Sequence, residues 1–192
     1  MTRHIGKIVA IALLFGSMTT STYAAMPQGW FKTGSAPADY DMGSQTGNRH
    51  AGDKNGFIRA KRDSSGFGTM MQTIDAHTYH GQRLRLSGWL KTTGANKAGM
   101  WMRIDGADEK VVGFDNMDDR SLHGDNDWKR YDIVLDIPND AVDIAFGFLL
   151  SGKGELLADD FKLEPVDKNV AVTGGALPAG LAKAPVNLDF SN

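Results

Sequence analysis

Two tryptophans and three arginines raise the first chemical question. In Arg83 to Thr92 (RLRLSGWLKT), Leu84, Leu86 and Leu90 alternate with Arg83, Arg85, Ser87, Trp89 and Lys91. In Gly99 to Asp105 (GMWMRID), Met100, Met102 and Ile104 alternate with Trp101, Arg103 and Asp105. A period of two belongs to a strand, so the aromatic and cationic residues are expected on faces opposite the apolar rows. An indole on an open sheet face can lie against the C–H face of a pyranose ring while neighbouring guanidinium groups bond the hydroxyls. In Val142 to Leu150 the corresponding face carries Ala145 and Gly147, small enough to leave room for a ligand. The same tryptophans also suit a second small core, because either face of a layered sheet can be covered. Both readings stand at this point.

A second constellation is Phe114 to Gly124 (FDNMDDRSLHG), which gathers Asp115, Asn116, Asp118, Asp119, Arg120 and His123. Such a loop offers donors and acceptors to rim a binding site. It also suits a turn in which Asp and Asn cap their own backbone and Asp118 or Asp119 pairs with Arg120.

Catalytic and metal chemistry has less support. Hydrolysis of a glycosidic bond needs two carboxylates across one bond, and Asp115 or Asp118 would be the residues to test. There is no Gly-x-Ser-x-Gly elbow. His77 and His80 are three apart, not the four that align two ligands on a helix. Met100 and Met102 alternate as core fillers and do not form a loop cluster for copper. With no cysteine, disulfides, thiol catalysis and Cys-based zinc sites are excluded. No catalytic residue and no metal site is assigned.

These residues must be positioned by a chain of 192 residues, enough for one ordinary domain. Arg3 and Lys7, the apolar run Ile8 to Phe15 and the small residues Thr22 and Ala24 read as a secretory signal over residues 1–24. Removing Arg3 and Lys7 with that leader leaves 19 basic residues against 23 acidic ones, a formal charge of −4. That balance disfavours nucleic acid, which needs clustered Lys and Arg. The leader implies a periplasmic or secreted protein with no stable membrane insertion after cleavage.

Residues 26–51 read as irregular, with one short strand near Trp30 to Thr33. Strands are then expected at Phe57–Arg62, Phe67–Ile74, Arg83–Thr92 and Gly99–Asp105. Further strands are expected at Glu109–Phe114, Trp128–Ile137, Val142–Leu150 and Leu156–Glu164. Short alternating strands joined by Gly, Asp and Asn turns, with no helical period, predict an all-β sandwich of residues 25–166. Residues 167–185 read as a linker. In 186–192, Val186, Leu188 and Phe190 alternate with Asn187, Asp189 and Ser191, which predicts one more strand filling a slot in the sandwich.

Several stretches together resemble the galactose-binding-like jelly rolls that include many bacterial carbohydrate-binding modules. They are YHGQRLRLSGWLKT, AGMWMRIDG, FDNMDDRSLHG, DWKRYDIVLDIPNDAVDIAFGFLLSGKGELLADDFKLE and PVNLDF. The resemblance spans about Gly29 to Phe190 and is most specific from Asp127 to Glu164. It implies an exported, non-catalytic accessory module. Carbohydrate would bind through Trp89, Trp101, Arg103, Arg85, Asp115, Asn116 and Arg120. The alternative is an envelope protein that binds a protein partner or a second copy of itself. The resemblance also implies that the NLDF stretch takes the slot of the relatives' first strand. Many relatives hold a structural calcium between a Glu after that strand and an Asp of the last one. Here Asp159 and Asp160 are present but Ser191 stands where the Glu would be, so no cofactor is assigned, with a structural calcium as the alternative.

Overall fold

The computed structural model describes residues 25–47, 49, 54–107 and 110–174. The expected leader (1–24) and the expected strand at 186–192 lie outside the described residues. The alternating runs form nine strands separated by turns and three-residue 3-10 segments. These are β1 (Phe31–Thr33), β2 (Tyr40–Thr46), β3 (Lys54–Ala60), β4 (Phe67–Asp75) and β5 (Arg83–Gly106). They continue with β6 (Val111–Asp115), β7 (Leu122–Asp136), β8 (Ala141–Ser151) and β9 (Glu155–Val166).

The two strands expected at 83–92 and 99–105 are one strand of 24 residues. Its first half, Arg83 to Thr93, pairs with β7 and β9, and its second half, Lys97 to Gly106, pairs with β8 and β6. The ladder runs β1-β4-β8-β5-β9-β3-β2, with β6 and β7 also on β5. Because β5 passes from one layer to the other, this path folds into two sheets. The front sheet is β1-β4-β8-β5-β6 and the back sheet is β7-β5-β9-β3-β2. Strands that change sheet at a bend or bulge are how such corners are built.

The bend lies between Leu90 and Ala98, where the β5–β7 register shifts three times. Gly94 takes a positive φ of 56° there, which costs glycine nothing. Its N–H donates to Asp125 Oδ1 at 2.6 Å, and Thr92 Oγ1 donates to the Gly124 carbonyl at 2.9 Å. The Gly152-Lys153-Gly154 turn presses against the bend: a Cβ on Gly154 would lie 2.6 Å from Ala95 Cα.

The core lies between the sheets. Leu84, Leu86 and Leu90 come from the back sheet and Met100, Met102 and Ile104 from the front sheet, all fully buried. Ile144, Phe146, Phe148 and Leu150 of β8 complete the expected row, while Val142 at its end is 46% exposed. Strand β2 was not expected. Its Tyr40 is buried, with a hydroxyl 2.8 Å from the Gly66 carbonyl and 3.0 Å from that of Gly152. Trp30 closes one end of the core against Phe146, Phe148 and Phe161, with centroids 5.7–6.3 Å apart.

After β9 the chain crosses the start of β5 to the far side of β7. Arg83 donates to the carbonyls of Lys168 and Val170. The Thr173 N–H donates to the Val134 carbonyl at 3.0 Å, and the Val134 N–H to Thr173 Oγ1 at 2.8 Å. The first part of the expected linker is thus hydrogen-bonded to the sandwich.

Two predictions follow from this packing. A Cβ at Gly147 would sit 2.1 Å from the Met70 carbonyl oxygen, whereas one at Gly124 would meet nothing within 4 Å. Gly147→Ala should therefore cost about 3 kcal/mol or more, and Gly124→Ala about 1 kcal/mol from its positive φ, in urea unfolding. The second concerns acid. Hydrogen bonds from Arg83, reinforced by Lys168 against some burial, hold Asp136 at about 2, below its ordinary 3.8. A depressed pKa adds stability above about pH 4 that is lost as pH falls through about 2. The Tm difference between wild type and Asp136→Asn should be a few degrees at pH 5, about 1 kcal/mol for a half-exposed pair, and should vanish near pH 2.

Candidate functional site

The outward rows of the front sheet define a groove of about 620 Å³. Across the strands, Phe31 of β1 stands opposite Met71 of β4, Met71 opposite Gly147 of β8, and Gly147 opposite Trp101 of β5. On either side lie the pairs Thr69–Leu149 and Thr73–Ala145. Period-two alternation puts all of these on the side away from the core. Met71, Trp101 and Ala145 form a small apolar cluster there, with Phe114 and Leu149 packed against it.

Trp101 forms part of the groove floor. It is 8% exposed, and its Nε1 donates to Thr69 Oγ1 at 2.9 Å. The two readings of this residue therefore merge: it belongs to a second small core, and that core lines an open groove. Gly147 does not make room for a ligand, as its sequence position suggested. It is glycine because the β4 backbone approaches it closely. Phe114, paired with Arg103 across β5 and β6, gives the groove a half-buried ring on one side. Phe31 adds a 45% exposed ring on the same face.

Cations stand toward both ends of the β5 stretch that lines the groove. Lys97 and Arg103 are six residues apart, about 20 Å along a strand, with Trp101 between them. Lys97 pairs with Asp118. Arg103 Nε and Nη2 both contact Asp105 Oδ2, at 2.9 and 2.8 Å. Asn116, Thr33 and Ser151 complete the polar lining. Among the described residues no carboxylate lines this groove.

The other expected site residues lie elsewhere. Trp89 and Arg85 belong to the first half of β5, so they sit on the outer face of the back sheet, across the core from Trp101 and Arg103. The single face expected for the two tryptophans is thus two faces, because β5 changes sheet between them. Arg85 pairs with Glu164 at 2.6 Å. Trp89 lies under Arg49, whose guanidinium carbon is 4.9 Å from the ring centroid.

Asp115 turns inward and holds the loop together. Its Oδ1 accepts from the Met117 N–H at 2.8 Å, and its Oδ2 accepts from Arg120 and Thr173, both at 2.6 Å. Burial opposes its charge, but these bonds outweigh that cost and hold its pKa below the usual range. Arg120 also pairs with Asp119 at 2.9 Å, and Asn116 Oδ1 accepts from the Asp118 N–H at 3.1 Å. The loop is a self-capped turn. Of its expected ligand residues only Asn116 reaches the groove.

The metal candidates resolve in the same way. Arg49 Nε lies 2.9 Å from Asp159 Oδ2, and its Nη2 lies 3.4 Å from Asp160 Oδ2. Calcium wants six to eight oxygens. The described residues offer it two carboxylates that a guanidinium already holds, so they do not fit the ion. His77 Nδ1 is 2.8 Å from Asp75, and His80 Nε2 is 2.7 Å from the Ala141 carbonyl. Among the described residues no group of three or more His, Asp or Glu could hold a metal.

Sequence reasoning missed Phe114 as a groove residue and Phe31 as an exposed ring on the same face. Phe114 had no dependable signal, because Val112, two residues earlier, packs against the main core while Phe114 packs against the outer cluster, across a register shift. Phe31 had none, because a three-residue strand carries no period.

No family model matches the chain. Over 166 residues, 85% of its length, it is 41% identical to a Bacillus subtilis (strain 168) protein named "Uncharacterized HTH-type transcriptional regulator YbfP". The match covers 56% of that protein, so the chain spans little more than half the length of the curated relative it matches. Among solved structures it is similar to the CBM22-1 xylan-binding domain of Xyn10C from Paenibacillus barcinonensis. The TM-score is 0.53 at 10% identity, over 75% of this chain and 90% of that one. It is also similar to a cyclase from Fischerella sp. TAU, with a TM-score of 0.53 at 14% identity, over 75% of this chain and 88% of that one. At such identities the likeness is one of fold, and the fold is the galactose-binding-like jelly roll found in carbohydrate-binding modules.

Proposed function

We propose that this chain is a non-catalytic binding module that takes carbohydrate in the groove over the front sheet. The observation that carries the reading is the groove's composition. An apolar floor with Trp101, a flanking Phe114, cations at Lys97 and Arg103 and small polar groups between them suit a saccharide. Its C–H faces would rest on the rings and its hydroxyls would meet the N–H and O–H groups. The xylan-binding domain of the same fold supports this choice of ligand class. The lack of carboxylates in the groove weighs against hydrolysis there, which needs two of them. Asp115, offered by the sequence as a catalytic acid, is bonded into its own loop. A regulator is among the relatives and a binding module among the fold neighbours, and recognition is a role both can use. With residues 1–24 read as an export signal, we place this recognition in the periplasm or outside the cell.

A protein partner is the second reading. It is favoured by Phe31, an exposed ring on the short edge strand β1, since aromatic anchors are what interfaces use.

The test is a glycan array, including xylan and β-galactan oligosaccharides, with titration of any hit. Arg103→Ala should weaken binding about tenfold or more, and Phe114→Ala about threefold to tenfold. Trp89→Ala, on the opposite face, should leave the affinity unchanged. Trp101→Ala is less informative, since its ring is part of a packed cluster. Loss of binding in Trp89→Ala alone, or no glycan bound by folded protein, would sink the groove reading and turn the search to protein partners.

A further inference from the structure

β9 is paired differently along its two halves. Glu155 to Ala158 has β3 on one flank and β5 on the other. From Lys162 to Val166, β5 pairs with one flank, and among the described residues no strand pairs with the other. A bare strand edge is a template that native proteins cover. Pro165, which has no N–H to give, is a residue that edges tolerate.

The bare flank borders a cavity. A space of about 350 Å³ opens between the two sheets, lined on the apolar side by Trp30, Met70, Phe146, Phe148, Phe161 and Leu163. Lys54 and Lys162 stand at its rim with Asp159 and Asp160, which Arg49 already holds. Lys54 has no ionic partner among the described residues. The core is thus open beside an unpaired backbone, with Lys54 as the rim cation that no carboxylate neutralises among the described residues.

We propose that the Val186–Phe190 stretch of this same chain docks there as a tenth strand, antiparallel or parallel to β9. Four observations carry this. Its period is that of a half-buried strand, with Val186, Leu188 and Phe190 on one side and Asn187 and Asp189 on the other. The apolar side matches the aromatic cavity, continuing the inward row of Phe161 and Leu163. Asp189, on the outward side, meets the lysines of the rim. The reach also suffices. The described chain ends at Gly174 beside Phe114 and Leu135, on the far side of β7, four strand spacings from the bare flank of β9, about 20 Å. The 11 residues from 175 to 185 can span about 36 Å when extended. The docked strand would leave the groove on the other sheet open, so this inference stands independently of the sugar reading.

The chain has no cysteine, which makes crosslinking clean. Lys162→Cys would be combined in turn with Asn187→Cys, Asp189→Cys and Ser191→Cys in the full chain. Neighbouring strands hold Cα atoms about 5 Å apart, the distance a disulfide needs. One of the three pairs should oxidise within a single chain, giving a monomer of unchanged mass apart from two hydrogens, while the others lag at least tenfold. Disulfides forming only between chains would overturn the proposal in favour of strand exchange with a second copy. Equal, slow oxidation of all three would overturn it in favour of an undocked segment. As a second readout without thiols, the double variant Leu188→Asp/Phe190→Asp should lower Tm by about 5 °C or more at any protein concentration. An unchanged Tm would equally refute the docked strand.

Discussion

The fold depends on the backbone hydrogen bonds of one strand. β5 is flanked on both sides through both halves, by β7 and β9 and then by β6 and β8. Every ladder from the β7 side to β2, and from β6 to β1, passes through it. A strand in that position must turn between layers without leaving its N–H and C=O groups bare. The chain solves this with Gly94, with Thr92, Asp125 and Asn126 side chains bonded across the bend, and with the Gly152–Gly154 turn packed against it. Side-chain detail elsewhere is subordinate to that corner.

The corner also decides what a period of two can tell. Trp89 and Trp101 are 12 residues apart, an even number, and each stands opposite a buried apolar row. Both statements are visible in the sequence and both hold in the structure. A straight strand would turn them into one shared face. A strand that bends round the core converts the same parity into two faces on opposite sides of the molecule. The missing information was the Thr92 to Lys97 stretch (TTGANK), whose composition reads as a loop between two strands although it remains paired to β7.

Other residues divide along the same line. Core rows were legible because burial of alternate side chains is a local pattern, as at Met100, Met102 and Ile104. β2 was not legible, because Tyr40 and Met42 are followed by Gly43, Ser44 and Gln45, leaving too few apolar positions to show a period. The loop after β6 was legible only as two alternatives. What decides between them is Thr173, 58 residues away in sequence, whose hydroxyl donates to Asp115 Oδ2. No local pattern announces such a partner.

Charge then explains why an acidic chain has a groove of the opposite character. Several acidic groups on the sheets are consumed by arginines across neighbouring elements: Asp136 by Arg83, Glu164 by Arg85, Asp115 by Arg120, and Asp159 with Asp160 by Arg49. These pairs fasten strands and loops, so an abundance of carboxylates does not become a catalytic pair. At the groove the balance reverses. Lys97 and Arg103 point to the lining, while their partners Asp118 and Asp105 stay outside it. Arg103 spends Nε and Nη2 on a single oxygen of Asp105 and keeps Nη1 without a partner among the described residues. The groove around Trp101 and Phe114 therefore presents donors over an apolar floor. Donors over an apolar floor are the surroundings that the proposed saccharide would need, with its hydroxyl oxygens toward Lys97 and Arg103.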